Sequence, residues 1–320
     1  MTPPSAAADA PAIETDRLAK RYGSTVALAG MSMVVPRGQV FGFLGPNGAG
    51  KTTAVKLLLG LARPTGGTGR LLGAPLGDRL VRRQVGYLPE LFRYQAWLTA
   101  RDVLRLHAQL GGLRPRERGA AIAQSLRTVD LADRADARVG TFSKGMQQRL
   151  GLAVALLGRP AIVILDEPTS ALDPIGRLDV RTIIRGLRDE GTTVFLNSHL
   201  LGEVERVCDV VAIVDRGRVV ADGPLDDLLG VPTVRLRVTG LSRTARADLG
   251  AFGTTADEPP WLVVRGCPPE RVPDLVAALV TAGGRIYAVD AGRETLEERF
   301  IELLTRPPEA GADGVIGGPP

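Results

Sequence analysis

Eight consecutive residues, Gly45-Pro46-Asn47-Gly48-Ala49-Gly50-Lys51-Thr52, constrain the fold of this chain more than any others. They follow an apolar run, Gln39 to Leu44 (QVFGFL), that reads as a strand. They precede a run with helical spacing from Thr52 to Ala62, ending near Gly60. Strand, glycine-rich loop and helix in that order bring backbone N–H groups together at the positive end of a helix, which is a place for phosphate. Glycines let the backbone approach such a ligand closely. In this pattern Lys51 bridges the β- and γ-phosphates. Thr52 offers its hydroxyl to Mg²⁺, a cation that prefers hard oxygen ligands. The candidate phosphate set is Gly45, Pro46, Asn47, Gly48, Ala49, Gly50, Lys51, Thr52 and Thr53.

A second feature supplies carboxylates. The apolar run Ala161 to Leu165 ends in Asp166 and Glu167. Paired acids usually mark exposed surface, but these stand at the C-terminal end of a buried strand, where ligands bind in open α/β sheets. With the phosphate loop upstream, Asp166 is suited to hold Mg²⁺ through water. Glu167 is suited to act as general base on the water that attacks the γ-phosphate. His199 follows another strand-like run, TVFLN. A lone histidine is more often structural than catalytic, and His107, inside a helical run, receives no role.

Strand-like and helix-like runs alternate from Ile13 to Gly230, as in an α/β domain. The stretch from about Leu91 to Val139 is charged and strand-poor, with a helix expected behind a Thr99 cap, and reads as a helical insertion. A small α+β domain is expected over residues 231–305, with strands at Thr233–Val238, Trp261–Val264 and Arg285–Val289 and helices at Pro268–Ala282 and Thr295–Leu304. Residues 1–12 are rich in Pro and Ala, and residues 306–320 in Pro and Gly; both are expected to be disordered.

Composition narrows the class of function. The chain is 44% hydrophobic and 23% charged, with a net charge of +5 carried mostly by scattered arginines. That balance permits acidic partners without requiring them. Two cysteines are too few for a disulfide framework and suit a reduced compartment. The longest apolar stretch, Leu150 to Leu165, is interrupted by Arg159 and Pro160 and falls short of the roughly 20 residues that span a bilayer. The N-terminus lacks the basic-then-apolar order of a secretory signal. Work at a membrane would therefore require a partner.

The run Phe142 to Asp173, FSKGMQQRLGLAVALLGRPAIVILDEPTSALD, resembles the signature, Walker B and D-loop segment of ATP-binding cassette (ABC) ATPases. The matches cover Ile13 to about Gly230 in the order of that family. Gly45–Thr52 corresponds to Walker A, Asp166 and Glu167 to Walker B, and Ser143 to Met146 to the signature turn. Ser170 to Asp173 corresponds to the D-loop. Tyr22 looks like the aromatic that stacks on adenine, Tyr87-Leu88-Pro89-Glu90 takes the Q-loop position, and Asn197-Ser198-His199 places His199 where the family's γ-phosphate-contacting histidine stands. The resemblance implies a P-loop NTPase fold of the ABC nucleotide-binding type, a RecA-like core with helical insertion and β-subdomain, and ATP and Mg²⁺ as ligands. It also implies a homodimer in which Ser143, Gly145 and Asp173 of one chain serve the ATP held by the other.

Three positions depart from the commonest pattern. Lys144 replaces a glycine, Met146 replaces a glutamine, and Glu90 replaces the Q-loop glutamine. Ser143 and Gly145 survive for phosphate contact, and Glu90 becomes a further oxygen candidate for Mg²⁺ and nucleotide. Together with the C-terminal domain, these variants resemble the ATPase subunits that pair with two ABC-2 type membrane permeases on the cytoplasmic side and drive export. The other reading, an ABC ATPase acting on ribosomes or nucleic acid, is disfavoured by the single P-loop and by the short spacing between Walker motifs; no nucleic acid partner is expected. A switch that binds ATP without turnover would lack a base, whereas Glu167 is present.

Overall fold

A computed structural model describes residues 10–170, 172–293 and 295–305. The chain divides into two compact units between Leu228 and Leu229. The first half of the first unit contains β1 (Ile13–Tyr22), β2 (Thr25–Val35), β3 (Val40–Leu44), α1 (Lys51–Leu58), β4 (Gly66–Leu71), β5 (Ala74–Pro75), α2 (Arg79–Arg82) and β6 (Val85–Leu88). It continues with α3 (Ala100–Leu110), α4 (Pro115–Thr128), α5 (Lys144–Ala155), β7 (Ile162–Asp166), α6 (Pro174–Asp189), β8 (Thr193–Asn197), α7 (Leu201–Val207), β9 (Val210–Asp215), β10 (Arg218–Pro224) and α8 (Leu225–Leu228).

Six strands form the central sheet in the order β10-β9-β3-β8-β7-β6. Its pairs are parallel except for β9 with β10. Every residue of β3, β7 and β8 is buried, which explains their continuous apolar runs: strands covered on both faces have no polar side. Phe195 of β8 lies between Phe41 and Phe43 of β3, with ring centroids 5.6 and 5.1 Å apart. Each such side chain, removed from water, contributes about 2–3 kcal/mol. The registers of β7 and β8 make Asp166 and Asn197 direct neighbours at the C-terminal end of the sheet.

A second, antiparallel sheet has the order β2-β1-β4-β5. Its buried residues Ile13, Leu18, Leu28, Met31 and Val35 share one core with Phe41, Leu57 and Ile164. The stretch between β6 and β7 is built from helices α3, α4 and α5 with short 3₁₀ turns. Thr99 caps α3 as its sequence position predicts: its hydroxyl accepts from the Asp102 N–H, and Asp102 returns a bond to the Thr99 backbone.

One expectation needs correction. Ala10 to Ala12, grouped by composition with the disordered terminus, are ordered. Ala12 is fully buried, donates to Val35 O at 2.9 Å and accepts from Leu72 N at 2.8 Å. These bonds extend the sheet beyond the Pro/Ala-rich segment, whose remaining residues lie outside those described, as does the 306–320 tail. The first helix ends near Gly60 as its sequence predicts: α1 closes at Leu58, and Gly60 turns left-handed at φ 65° just beyond it.

The second unit contains β11 (Pro232–Thr239), α9 (Arg243–Asp248), β12 (Thr254–Glu258), β13 (Trp261–Arg265), α10 (Val272–Thr281), β14 (Arg285–Arg293) and α11 (Leu296–Thr305). Its antiparallel sheet runs β12-β13-β11-β14. Val234, Leu236, Leu262 and Val264 meet Leu275 and Leu279 of α10 in a separate small core. Among the described residues no helix is long and apolar enough to cross a membrane.

Candidate active site

The phosphate loop is shaped by what surrounds it. A Cβ on Gly45 would stand 2.3 Å from Val214 O, so the loop passes too close to β9 for any side chain. Gly50 has φ 101°, and a Cβ there would meet Ala27 O at 2.5 Å. Gly217, in the turn between β9 and β10, donates to Ala49 O and accepts from Ala29 N, both at 2.9 Å. The loop is thereby pinned between β2 and β9, while Asn47, Gly48 and Thr52 remain exposed. Gly50 gives α1 no side-chain cap, so the first N–H groups of the helix stay available to an anion. Pro46 and Thr53 are half-buried within the same segment.

Lys51 is buried, and its ammonium donates to Gly45 O at 2.6 Å and Pro46 O at 3.1 Å. Burial lowers its pKa, and the negative charges of Glu167, Asp166 and Glu90 oppose that shift. Lys51 thus feels the charges of all three carboxylates.

Asp166 and Glu167 are both buried. Burial raises the Asp166 pKa, against the Asn197 amide that stabilises its charge. Asn197 Nδ2 donates to Asp166 Oδ1 at 2.5 Å. Nearby, burial and the Asp166 carboxylate push the Tyr87 pKa up to about 12. Glu167 occupies the left-handed region at φ 51°, costly for a side-chain-bearing residue, and its N–H is held by Asn197 O at 2.9 Å. His199 Nδ1 lies 2.8 Å from Glu167 Oε2. The pair is not aligned as a hydrogen bond, so Glu167 Oε2 has no hydrogen-bond partner among the described residues, and neither has Asn197 Oδ1.

These features fit a hydrated Mg²⁺. Its candidate ligands Thr52, Asp166 and Glu90 offer hard oxygens, and two buried acceptors beside them lack donors. No group of three or more His, Cys, Asp or Glu among the described residues could hold a metal unaided.

Ser143, Gly145 and Asp173 are gathered elsewhere. Together with Lys144, Arg149 and Ile175 they line a cavity of about 410 Å³. Ser143 caps α5 by accepting from Met146 N at 3.2 Å, and Asp173 caps α6 by accepting from Gly176 N at 2.8 Å. Tyr22, at the end of β1, is 47% exposed, with the Lys20 ammonium 4.9 Å from its ring centre. No described contact joins Tyr22 to the phosphate loop. Sequence reasoning gave no role to Tyr87 or to Asn197 itself. The signal that would have found Asn197 is the matched ends of IVILD and TVFLN, which bring an amide level with a carboxylate.

Residues 28–170 match the ABC transporter family model. An uncharacterised ABC transporter ATP-binding protein of Nostoc is 42% identical over 285 residues, 88% of this chain and 84% of that protein. The daunorubicin/doxorubicin resistance ATP-binding protein DrrA of Streptomyces peucetius is 35% identical over 310 residues, 92% of this chain and 93% of that protein. A solved ATP-binding subunit of an ABC transporter superposes with a TM-score of 0.61 at 34% identity, over 68% of this chain and 91% of that one. The fold, the convergence of Lys51 with the Walker carboxylates and these likenesses agree, and the chain belongs to the ABC transporter ATP-binding proteins.

Proposed function

We propose that this chain is the ATP-hydrolysing subunit of an exporter, working as a homodimer on the cytoplasmic side of a membrane beneath two ABC-2 type permease subunits. The observation that carries the reading is the shared environment of one ammonium, Lys51, and three carboxylates, Asp166, Glu167 and Glu90, beside the uncapped start of α1. Backbone N–H groups from Asn47 to Thr53 and the Lys51 ammonium bind and orient the triphosphate of ATP. Thr52, Asp166 and Glu90 would hold Mg²⁺, which neutralises phosphate charge. Glu167 takes a proton from the water attacking the γ-phosphorus, and ADP departs as the bridging bond breaks. His199, whose Nδ1 lies 2.8 Å from Glu167 Oε2, reaches toward the γ-phosphate. Tyr22 stacks on adenine.

Ser143, Gly145 and Asp173 act on the ATP of the facing copy, so ATP joins the two chains and hydrolysis releases them. Export is supported by the Streptomyces relative, named for drug resistance and matched over nearly its whole length. The pairing with ABC-2 permeases is supported by Glu90, Lys144 and Met146 together with a C-terminal α+β unit. Mild detergent extraction of cells producing the tagged chain tests the reading. A polytopic membrane protein should co-purify in equal amount; ribosomes or nucleic acid in its place would reverse it.

A further inference from the structure

We infer that Asn197 is the positioning residue of this site, fixing the Asp166 carboxylate and completing the surroundings of the cation. The inference rests on the assignment of Asp166 to Mg²⁺. Asn197 is 2% exposed and stands directly across from Asp166 where β7 and β8 end. All three of its polar functions matter. Nδ2 donates to Asp166 Oδ1 at 2.5 Å, which fixes the rotation of that carboxylate. The main-chain carbonyl accepts the N–H of Glu167, a residue held at φ 51°. Oδ1 is buried and has no hydrogen-bond partner in the described chain.

A buried acceptor without a donor is expensive, costing about 1–3 kcal/mol. A simple core role would be served better by an apolar side chain, as at the neighbouring positions Phe195 and Leu196. An amide here makes sense if donors arrive with the ligand, and the hydration shell of a cation bound at Asp166 supplies them. Asn197 thus does for Asp166 what outer-shell partners do for metal ligands: it sets orientation and charge without touching the ion.

The test measures Mn²⁺ binding to the full chain with ATP, by electron paramagnetic resonance, and ATP binding in EDTA. Asn197→Ala should weaken Mn²⁺ by roughly 10–100-fold, the usual cost of losing an outer-shell partner. ATP affinity in EDTA should stay within about twofold of wild type, because the contacts to the loop are intact. Asn197→Ser, which keeps a shorter donor in the strand, should fall between the two and carries the test if the alanine variant does not fold. Unchanged Mn²⁺ affinity in both variants would overturn the inference. So would a parallel loss of metal-free ATP affinity and thermal stability, which would mark a structural role. Wild-type protein without metal-dependent ATP binding would instead sink the assignment of the site.

Discussion

Two helix starts in the first unit differ in what the surrounding fold demands of them. At α1 the glycines are demanded from within: Gly45 abuts Val214 O and Gly50 abuts Ala27 O. The lysine is buried and carboxylates stand close by. At α5 nothing internal requires the glycine. A Cβ on Gly145 would meet its nearest heavy atoms at 3.9 Å, an ordinary contact. Ser143 satisfies its own helix, is exposed, and lines an open cavity. The first start gathers a buried ammonium and buried carboxylates; the second opens on a cavity lined by exposed polar and charged side chains, Ser143, Lys144 and Asp173 among them. The difference teaches that no close contact within the fold requires a glycine at 145, which makes this residue the place to test the proposed contact with a facing copy.

The largest effect should come from the chemistry at the α1 side. Glu167→Gln keeps the side-chain volume but removes the base, and turnover should fall by roughly 100- to 10,000-fold. ATP binding should persist, and a dimer trapped with ATP should elute early in gel filtration. Turnover close to wild type would hand the base role to another group and weaken the contrast between the two helix starts.

Next in size is Lys51→Ala. The ammonium makes two short bonds to loop carbonyls and, with ATP present, would exchange them for phosphate oxygens. One charge-assisted bond is worth about 1.5–3 kcal/mol, so ATP affinity should drop roughly 100-fold by calorimetry. Retained affinity would remove the loop from the nucleotide site.

Gly145→Ala separates the two regions most sharply. The residue lies in a helix, where alanine is favoured over glycine by about 0.5–1 kcal/mol, so the melting temperature should hold or rise. A methyl pressed against a facing ligand costs about 1–3 kcal/mol, so ATP-dependent dimerisation and turnover should fall roughly 10- to 100-fold. ATP binding to the single chain should not change. A stable variant with normal dimerisation would leave Gly145 as a residue of the helix alone.

Much of the α1 side was legible in the sequence because its constraints are local. A phosphate loop is written in consecutive residues, and a strand buried on both faces announces itself as IVIL before Asp166. What escaped depends on register between distant strands. Asn197 meets Asp166 only because β7 and β8 end level, and no local pattern records that. The strands of the antiparallel sheet were not located one by one either. In β1, bulges break the pairing after Thr15 and near Leu18 and Lys20, which blurs the period of two. Ala12 hid for a different reason: a small residue in a Pro/Ala-rich stretch carries no burial signal until its partners Val35 and Leu72 are known.

Tyr22→Ala should have the smallest effect, because it touches neither chemistry nor phosphate. The ring is half exposed and shares its face with Lys20. Stacking a base on such a ring contributes about 1–3 kcal/mol, and the Lys20 contact already occupying one face places the expected loss toward the lower end, roughly 5- to 10-fold in ATP affinity. Tripolyphosphate, which has no base to stack, should bind the variant and the wild type equally. Tyr22→Trp should restore ATP affinity, since any flat ring serves. Because every base has a π-face, GTP should lose as much as ATP. An equal loss for ATP and tripolyphosphate would mean that the substitution disturbs β1 and, through it, the hairpin whose second strand abuts Gly50, so the effect would belong to the loop and not to adenine.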